Sequence, residues 1–450
     1  MPRRMYFQPF CKLAGNLEVN RSVVLMGPRR VGKTVLLQHW VQSLLEEGVL
    51  PRKIIFITIE SPVYTGMGLE ELFSLAKAAA GFPDDQEGWY VVFDEIQYLR
   101  DWDVHLKTLV DSYRNVRFVV SGSAAATLQY KSKESGAGRF SDFLLPPVTF
   151  YEFIEMQGLG AILKHAQILY ANREIPFFEA LDIRQFNEHF LNYIHYGGYP
   201  EAVFSEAVRK DPQRFIRQDL VDKVLLRDLP SLYGITDVQE LNAFFTSIAY
   251  NTAQEFSPEA LSKQSGVNKS KIKKYLSYLE AAFLIRIVRR IDQSGKRFKR
   301  DNVFKIYLTN PSIRSALFAP IDPLNEMMGA SVETAVYAQW MHRQNMLPYY
   351  ARWAQGEVDM VHLNPLNMKP SWALEIKWSD QHFENPTKLK SLLAFCAENQ
   401  ISDALVTTIQ TMGKKRAKGV ELTFLPASTY AYSIGFNTAK QQEGFEQIAL

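Results

Sequence analysis

Apolar positions in the first third of the chain fall into short continuous runs separated by helically spaced stretches. Ser-Val-Val-Leu-Met (22–26), Trp-Tyr-Val-Val-Phe (89–93) and Arg-Phe-Val-Val (117–120) read as buried strands. After the first run, Val35, Leu36, Trp40, Val41, Leu44 and Leu45 recur at the spacing of one helix face. Buried strands alternating with helices predict an α/β core built on a parallel sheet. Farther on the pattern changes. Ser-Pro-Glu-Ala-Leu-Ser-Lys-Gln (257–264) predicts a short helix with proline just inside its cap, Ser-Gly-Val (265–267) a tight turn, and Asn268 the cap of a second helix carrying Ile272, Leu276, Leu279 and Phe283. Strand-like runs at 284–288 and 303–308 follow, so helix, turn, helix and hairpin spell a winged helix-turn-helix. Near the end, 356–361 and 371–379 alternate strictly. Trp372, Leu374, Ile376 and Trp378 share one face, and Ala373, Glu375 and Lys377 the other.

The turn between the first strand and its helix carries the most specific chemistry. Gly27, Pro28, Arg29, Arg30, Val31, Gly32, Lys33 and Thr34 form a complete G-x-x-x-x-G-K-T phosphate loop, with Val35 opening the helix behind it. Glycines let backbone N–H groups fold around phosphates, Lys33 reaches the β/γ oxygens, and Thr34 offers a hydroxyl to Mg2+. ATP and Mg2+ are therefore the expected cofactors. Hydrolysis also needs a carboxylate for the metal and a group to activate water. The 89–93 strand ends in Asp94 and Glu95, read as metal-orienting acid and catalytic base. The 117–120 strand runs into Ser121 and Ser123, one of which could sense the γ-phosphate; a small-residue turn is the alternative. Arg139, after Gly138 and ahead of Leu-Leu-Pro-Pro (144–147), is a candidate arginine finger in cis or in trans, and the trans case would require a homo-oligomer.

Composition narrows the class. With 47% hydrophobic and 22% charged residues over 450 positions, the chain is an ordinary globular protein of several domains. No apolar run approaches a membrane span, so the expectation is a cytoplasmic protein without membrane contact. Cys11 and Cys396 are too few for a disulfide framework. The net charge of +3 conceals a local excess: from Lys269 to Lys305 there are twelve Lys or Arg against three acids. That basic stretch could grip DNA phosphates in a salt-sensitive, sequence-independent way. It could equally be the solvated face of a protein–protein joint.

The alternating strands near the C-terminus raise a second possibility. Asp359, Glu375 and Lys377 could meet at one point, with Glu333 added from a preceding helix. Two carboxylates can hold Mg2+, and a lysine can position the attacking water. An ordinary exposed strand face would also pair Glu375 with Lys377.

Taken together these motifs resemble a family of bacterial and archaeal AAA-type ATPases with a winged helix and a C-terminal restriction-endonuclease-like (PD-(D/E)xK) domain of unknown function. The resemblance rests on 27–34, 91–95, Gly138-Arg139, Gly-Gly-Tyr-Pro (197–200), Lys-Ile-Tyr (305–307), Gly-Glu-Val-Asp (356–359) and Glu-Ile-Lys (375–377). It implies an ATPase core over 1–155, a helical lid over 156–236, a winged helix over 237–310 and a smaller α/β nuclease-like domain over 311–450. It also implies that Lys33, Thr34, Asp94 and Glu95 carry ATP hydrolysis, and that Glu333, Asp359, Glu375 and Lys377 form the nuclease-like site. Asn310 departs from the family's usual aspartate. The expected function is a Mg2+-dependent ATPase coupled to DNA contact or to the nuclease-like domain. The alternatives are a slow ATP/ADP switch that recruits a protein partner and an ATP-gated metal-dependent DNA nuclease.

Overall fold

The computed structural model describes residues 2–442 except 17, 83, 86, 124–137, 299–301 and 344–345. The chain divides into two units: Met1–Pro147, Leu226–Thr236 and Ala281–Phe283 form the first, and the remainder forms the second.

The first unit is a five-stranded, wholly parallel sheet. Its strands are β1 (Ser22–Met26), β2 (Ile54–Thr58), β3 (Trp89–Asp94), β4 (Val116–Gly122) and β5 (Phe140–Leu144), in the order β2-β3-β4-β1-β5. Parallel strands are covered on both faces, which is why β1 and β4 are buried along their whole length instead of alternating. Helix α1 (Lys33–Glu46) follows β1 and buries Leu36, Leu37, Trp40 and Leu44. β1, β3 and β4 all end at one edge of the sheet, so the phosphate loop, Asp94 and Ser121 meet at the carboxyl ends, where α/β sheets take ligands.

The second unit is organised around a nine-stranded mixed sheet. Ahead of it, the 156–236 segment is not wholly helical. It contains a hairpin of β6 (Leu163–Tyr170) and β7 (Arg173–Ala180), turned by Ala171 and Asn172 at φ 47° and 61°. Two successive positive φ values are the mark of a two-residue turn that matches strand twist, and without a glycine there the sequence hides it. The large sheet comprises β8 (Glu255–Phe256), β9 (Ile285–Ile291), β10 (Phe304–Leu308), β11 (Pro348–Trp353), β12 (Gly356–Leu363), β13 (Pro370–Glu375), β14 (Asp403–Thr408), β15 (Gly413–Ala417) and β16 (Val420–Pro426). Its order is β15-β16-β14-β13-β12-β11-β9-β10-β8. β9 pairs with β11, so the sheet runs straight across position 310, where the sequence suggested a domain boundary. Helices α2 (Pro258–Ser265) and α3 (Lys269–Ala281) precede the β9–β10 hairpin, and Gly266 makes the turn between them at φ 73°. Trp372, Leu374 and Ile376 pack on one face of the sheet and Ala373 on the other, so β13 is buried on both faces. That excludes an ordinary exposed strand face for Glu375. Helix α4 (Met327–Trp340) is buried almost all round.

Asn310 has a packing role that needs no charge. Its Oδ1 accepts from the backbone N–H and the hydroxyl of Ser312, and its Nδ2 donates to the Tyr193 hydroxyl at 3.2 Å. A Cβ on Gly198 would lie 2.3–2.7 Å from the Asn310 side chain, which explains the second glycine of Gly-Gly-Tyr-Pro. Gly198→Ala should therefore cost about 1–3 kcal/mol by overpacking a site with no room to give. A urea titration checks this, and Gly198→Ala/Asn310→Ala should recover part of the loss.

Candidate functional site

The phosphate loop is braced from behind. The Arg4 guanidinium donates to the Val31 carbonyl at 2.7 Å and to the Pro146 carbonyl at 3.0 Å, and Leu145 N–H donates to the Met26 carbonyl at 2.7 Å. A Cβ on Gly27 would stand 2.2 Å from the Leu145 carbonyl oxygen, so glycine is required there by close approach. Arg4 and the 144–147 stretch thus fix the loop, a contribution the sequence did not signal. Arg30 and Gly32 turn at φ 64° and 92°, and α1 opens directly after with no side-chain cap. Its first N–H groups are left for an anion.

Lys33 is buried, and among the described residues its ammonium donates only to the Gly27 and Pro28 carbonyls, at 3.1 and 2.9 Å. Among the described residues no carboxylate lies within ion-pairing distance of it. Burial pulls its pKa below the ordinary lysine value, against the opposing pull of Glu95 and Asp94. A buried cation facing an uncapped helix terminus fits a phosphate group. Beside it, Thr34 Oγ1 donates to Asp94 Oδ2 at 2.8 Å, and Ser121 Oγ donates to Asp94 Oδ1. A hydroxyl and a carboxylate in contact fit Mg2+, which binds through one or two protein groups plus substrate phosphates. Glu95 adopts the left-handed conformation, φ 58° and ψ 47°, which is costly for a non-glycine residue and common at functional sites. Gln97 holds its carboxylate and also accepts from Ser123 N–H at 3.1 Å.

Two sequence candidates stand elsewhere. Arg29 turns from the loop to a two-pronged pair with Asp228, at 2.9 and 3.0 Å, so its guanidinium is committed to a partner 199 residues away. Arg139 precedes the start of β5, where Ser22 pairs with Phe140, and its carbonyl accepts from Ser22 N–H. It thus sits at the amino end of the parallel strands, about 13 Å or more along β1 from the loop. There its guanidinium pairs with Asp111 at 2.8 Å. A finger in cis is excluded by strand direction; only the trans role remains open.

In the second unit β12, β13, β10 and α4 bring four acids and two lysines together. Lys377 Nζ lies 2.8 Å from Glu375 Oε1 and 3.3 Å from Asp359 Oδ2, and Ile376 N–H donates to Asp359 Oδ2 at 2.8 Å. Lys305 Nζ lies 2.6 Å from Glu357 Oε1, 2.9 Å from Glu333 Oε1 and 3.9 Å from Asp359 Oδ1. Lys305, counted by sequence among the DNA-facing cations, is only 3% exposed. Charge counted along the chain could not reveal this, because burial is decided by strands and a helix distant in sequence. Glu357 was likewise missed as a site residue. Lys269 and Lys271 are partnered by Glu259 and Glu240. Lys273, Lys274, Lys296 and Arg297 stay exposed, while Lys299, Arg300 and Asp301 lie outside the described residues.

The electrostatics divide the cluster. Burial raises the Asp359 pKa, but Lys377 and Lys305 outweigh it and hold the carboxyl below the usual range. Burial and the Asp359 charge push Glu375 up to about 7, against the pull of Lys377. Glu375 Oε2 is buried without a hydrogen-bond partner. Among the described residues no three His, Cys, Asp or Glu side chains converge to hold a metal, because the lysines stand between the acids. A folded-state pKa raised from 4.5 to about 7 means the folded chain binds the extra proton. This contribution therefore favours folding below pH 4.5 and is lost as pH rises through 7. Glu375→Gln, neutral throughout, should gain stability relative to wild type across that window, on the order of 2 kcal/mol. Paired melting curves at pH 5 and pH 8 measure the difference.

A braced phosphate loop with Lys33 buried in it and Thr34 on Asp94 decides the kind of the first unit. Residues 19–154 match an AAA domain. The chain thus carries an AAA-type P-loop domain, and residues 187–325 match a domain of unknown function, DUF8612. An uncharacterized protein of Haemophilus influenzae is 25% identical over 296 residues, 65% of this chain and 68% of that protein. Uncharacterized protein MJ1544 of Methanocaldococcus jannaschii is 23% identical over 294 residues, 64% of this chain and 60% of its own length. Among solved structures, Aeropyrum pernix ORC1 in complex with DNA aligns over 70% of this chain and 96% of its own, at 13% identity and a TM-score of 0.29. The replication initiator DnaA bound to AMPPCP and single-stranded DNA aligns over 62% and 88%, at 10% identity and 0.28. Likeness of that degree adds nothing about the activity of the AAA-type domain. Among the described residues no helix is long and apolar enough to cross a membrane.

Proposed function

We propose that the chain is a Mg2+-dependent ATPase whose nucleotide state governs contact with DNA by its second unit. The observation that carries the reading is the buried Lys33 ammonium beside the Thr34–Asp94–Ser121 contact. Lys33 holds the β/γ oxygens, Thr34 and Asp94 hold Mg2+, and Glu95 orients the attacking water and takes its proton. Mg2+ bound there supplies neutralisation of the developing phosphate charge. Asp228, the partner of Arg29, lies in a stretch flanked in sequence on both sides by segments of the second unit, which favours a response of that unit to the loop.

In this reading α2, α3 and the β9–β10 hairpin act as a winged helix on DNA, and a restriction-endonuclease-like fold surrounds Asp359, Glu375 and Lys377. The exposed Lys273 and Lys274 support phosphate contact. The test is ATP turnover with and without duplex DNA. Stimulation by DNA is expected, and Lys273→Glu/Lys274→Glu should remove it and flatten the salt dependence of binding, which otherwise falls by about one power of salt per phosphate contact. Turnover indifferent to DNA would favour a nucleotide switch recruiting a protein. A nuclease gated by ATP is a second reading, favoured by the bare, buried Glu375 Oε2 beside Asp359.

A further inference from the structure

The phosphate loop carries a second cation, Arg29. Lys33 Nζ donates to the Pro28 carbonyl at 2.9 Å, and the next residue along the chain is Arg29. The Arg29 side chain therefore springs from backbone beside the spot to which Lys33 brings the β/γ oxygens. Its guanidinium is held in two prongs by Asp228, at 2.9 and 3.0 Å, with the two side chains only 18% and 12% exposed. Besides burial, which lowers the Lys33 pKa, the Arg29 charge lowers it further and the Asp228 charge opposes it. Both ends of the pair thus stand within electrostatic reach of the Lys33 ammonium. The Tyr98 hydroxyl also faces the Arg29 guanidinium. Tyr98 ends the single turn that follows Glu95, and its N–H donates to the Glu95 carbonyl at 3.2 Å. A planar guanidinium takes a carboxylate and a phosphate in the same two-pronged geometry. Asp228 and the γ-phosphate of ATP are therefore alternative partners for one group.

We propose that Arg29 is the cis arginine of this site, drawn from Asp228 to the γ-phosphate when ATP binds. The proposal rests on the ATPase reading above, and it gives Arg29 the cis role that strand direction denies to Arg139. In hydrolysis the water oxygen bonds to the γ-phosphorus, and Glu95 takes the water proton. The bond from that phosphorus to the β-bridging oxygen breaks, its electron pair leaving with ADP, while Arg29 neutralises charge on the γ oxygens. ADP has no γ-phosphate and leaves the Arg29–Asp228 pair closed. ATP must compete with Asp228, and a pair closed in roughly nine molecules of ten lowers its affinity about tenfold. Asp228 is a positioning residue that acts through Arg29.

The experiment measures, on the full chain, calorimetric affinities for β,γ-methylene-ATP and for ADP, together with ATP turnover. Asp228→Asn should raise the ratio of the two affinities about tenfold, because the guanidinium no longer has to leave a carboxylate. Arg29→Ala should lower that ratio about tenfold and turnover about 10³-fold, with ADP affinity nearly unchanged. A mere brace of the loop behaves differently: both variants would weaken the two nucleotides alike. That result, or a ratio unmoved in both variants, would overturn the proposal. Arg29→Ala/Asp228→Ala leaves neither charge of the pair without its partner and should reproduce the lowered ratio of Arg29→Ala, which decides the matter should a single variant fail to fold. A raised ratio in that double variant would overturn the role of Arg29. Turnover that depends on Lys33 alongside unmoved ratios sinks this proposal alone. Ratios that move as expected without any turnover sink the ATPase reading and keep Arg29 as a γ-phosphate ligand.

Discussion

Lys33→Ala is expected to lower ATP turnover at least 10²–10³-fold, roughly the cost of deleting one preorganised stabiliser of developing charge. The argument is local. The ammonium is buried, meets only two carbonyl oxygens among the described residues, and lies at the uncapped start of α1. Among the described residues it forms no ion pair whose loss would unfold the domain, so the melting temperature should move little while nucleotide affinity falls. Glu95→Gln should separate the two halves of the site, retaining ATP while turnover drops by a similar factor. Steady-state phosphate release and equilibrium binding of a fluorescent nucleotide, measured on both variants, give the comparison. Normal turnover in Lys33→Ala would remove the phosphate loop from the chemistry.

Asp359→Ala should have the larger effect on stability. Asp359 is 6% exposed and lies within ion-pairing distance of both lysines, 3.3 Å from Lys377 and 3.9 Å from Lys305, and it also accepts from Ile376 N–H. Breaking a buried ionic network by deleting one member costs about 3–5 kcal/mol. For a unit of this size that is on the order of 10 °C or more in melting temperature. A second consequence has an opposite sign. The Asp359 charge helps hold Glu375 near 7, so its removal should let Glu375 ionise at lower pH. Carboxyl infrared titration reads that shift, and an unmoved Glu375 would mean that burial alone sets its pKa. Any metal-dependent cleavage of DNA should fall to background in the same variant.

What could be read from the chain depended on whether the decisive neighbours are close in sequence. The phosphate loop was legible because its strand, turn and helix are contiguous. Asp94 was legible because it ends an apolar strand. Glu375 and Lys377 were legible as a pair, but the burial of Glu375 was not, since β13 alternates as a half-exposed strand would and only β12, β14 and the helices packed on the sheet cover it. Lys305 was misread for the same reason: its company is Glu333 and Glu357, contributed by elements that form later in the chain. The cis reading of Arg139 failed through direction, because a motif does not say which end of a parallel sheet it occupies. The β6–β7 hairpin was missed because Ala171-Asn172 lacks the glycine that would announce its turn.

The pairing of β9 with β11 bears on how the protein can be dissected. A fragment beginning at 311 would lose β8, β9 and β10, leaving the backbone of β11 bare along one side. Such an open edge invites pairing with another copy, so the isolated fragment should aggregate more readily than the whole chain. It would also lack Lys305, leaving Glu333, Glu357 and Asp359 to repel one another. Truncations intended to isolate the C-terminal site are better started ahead of Glu255.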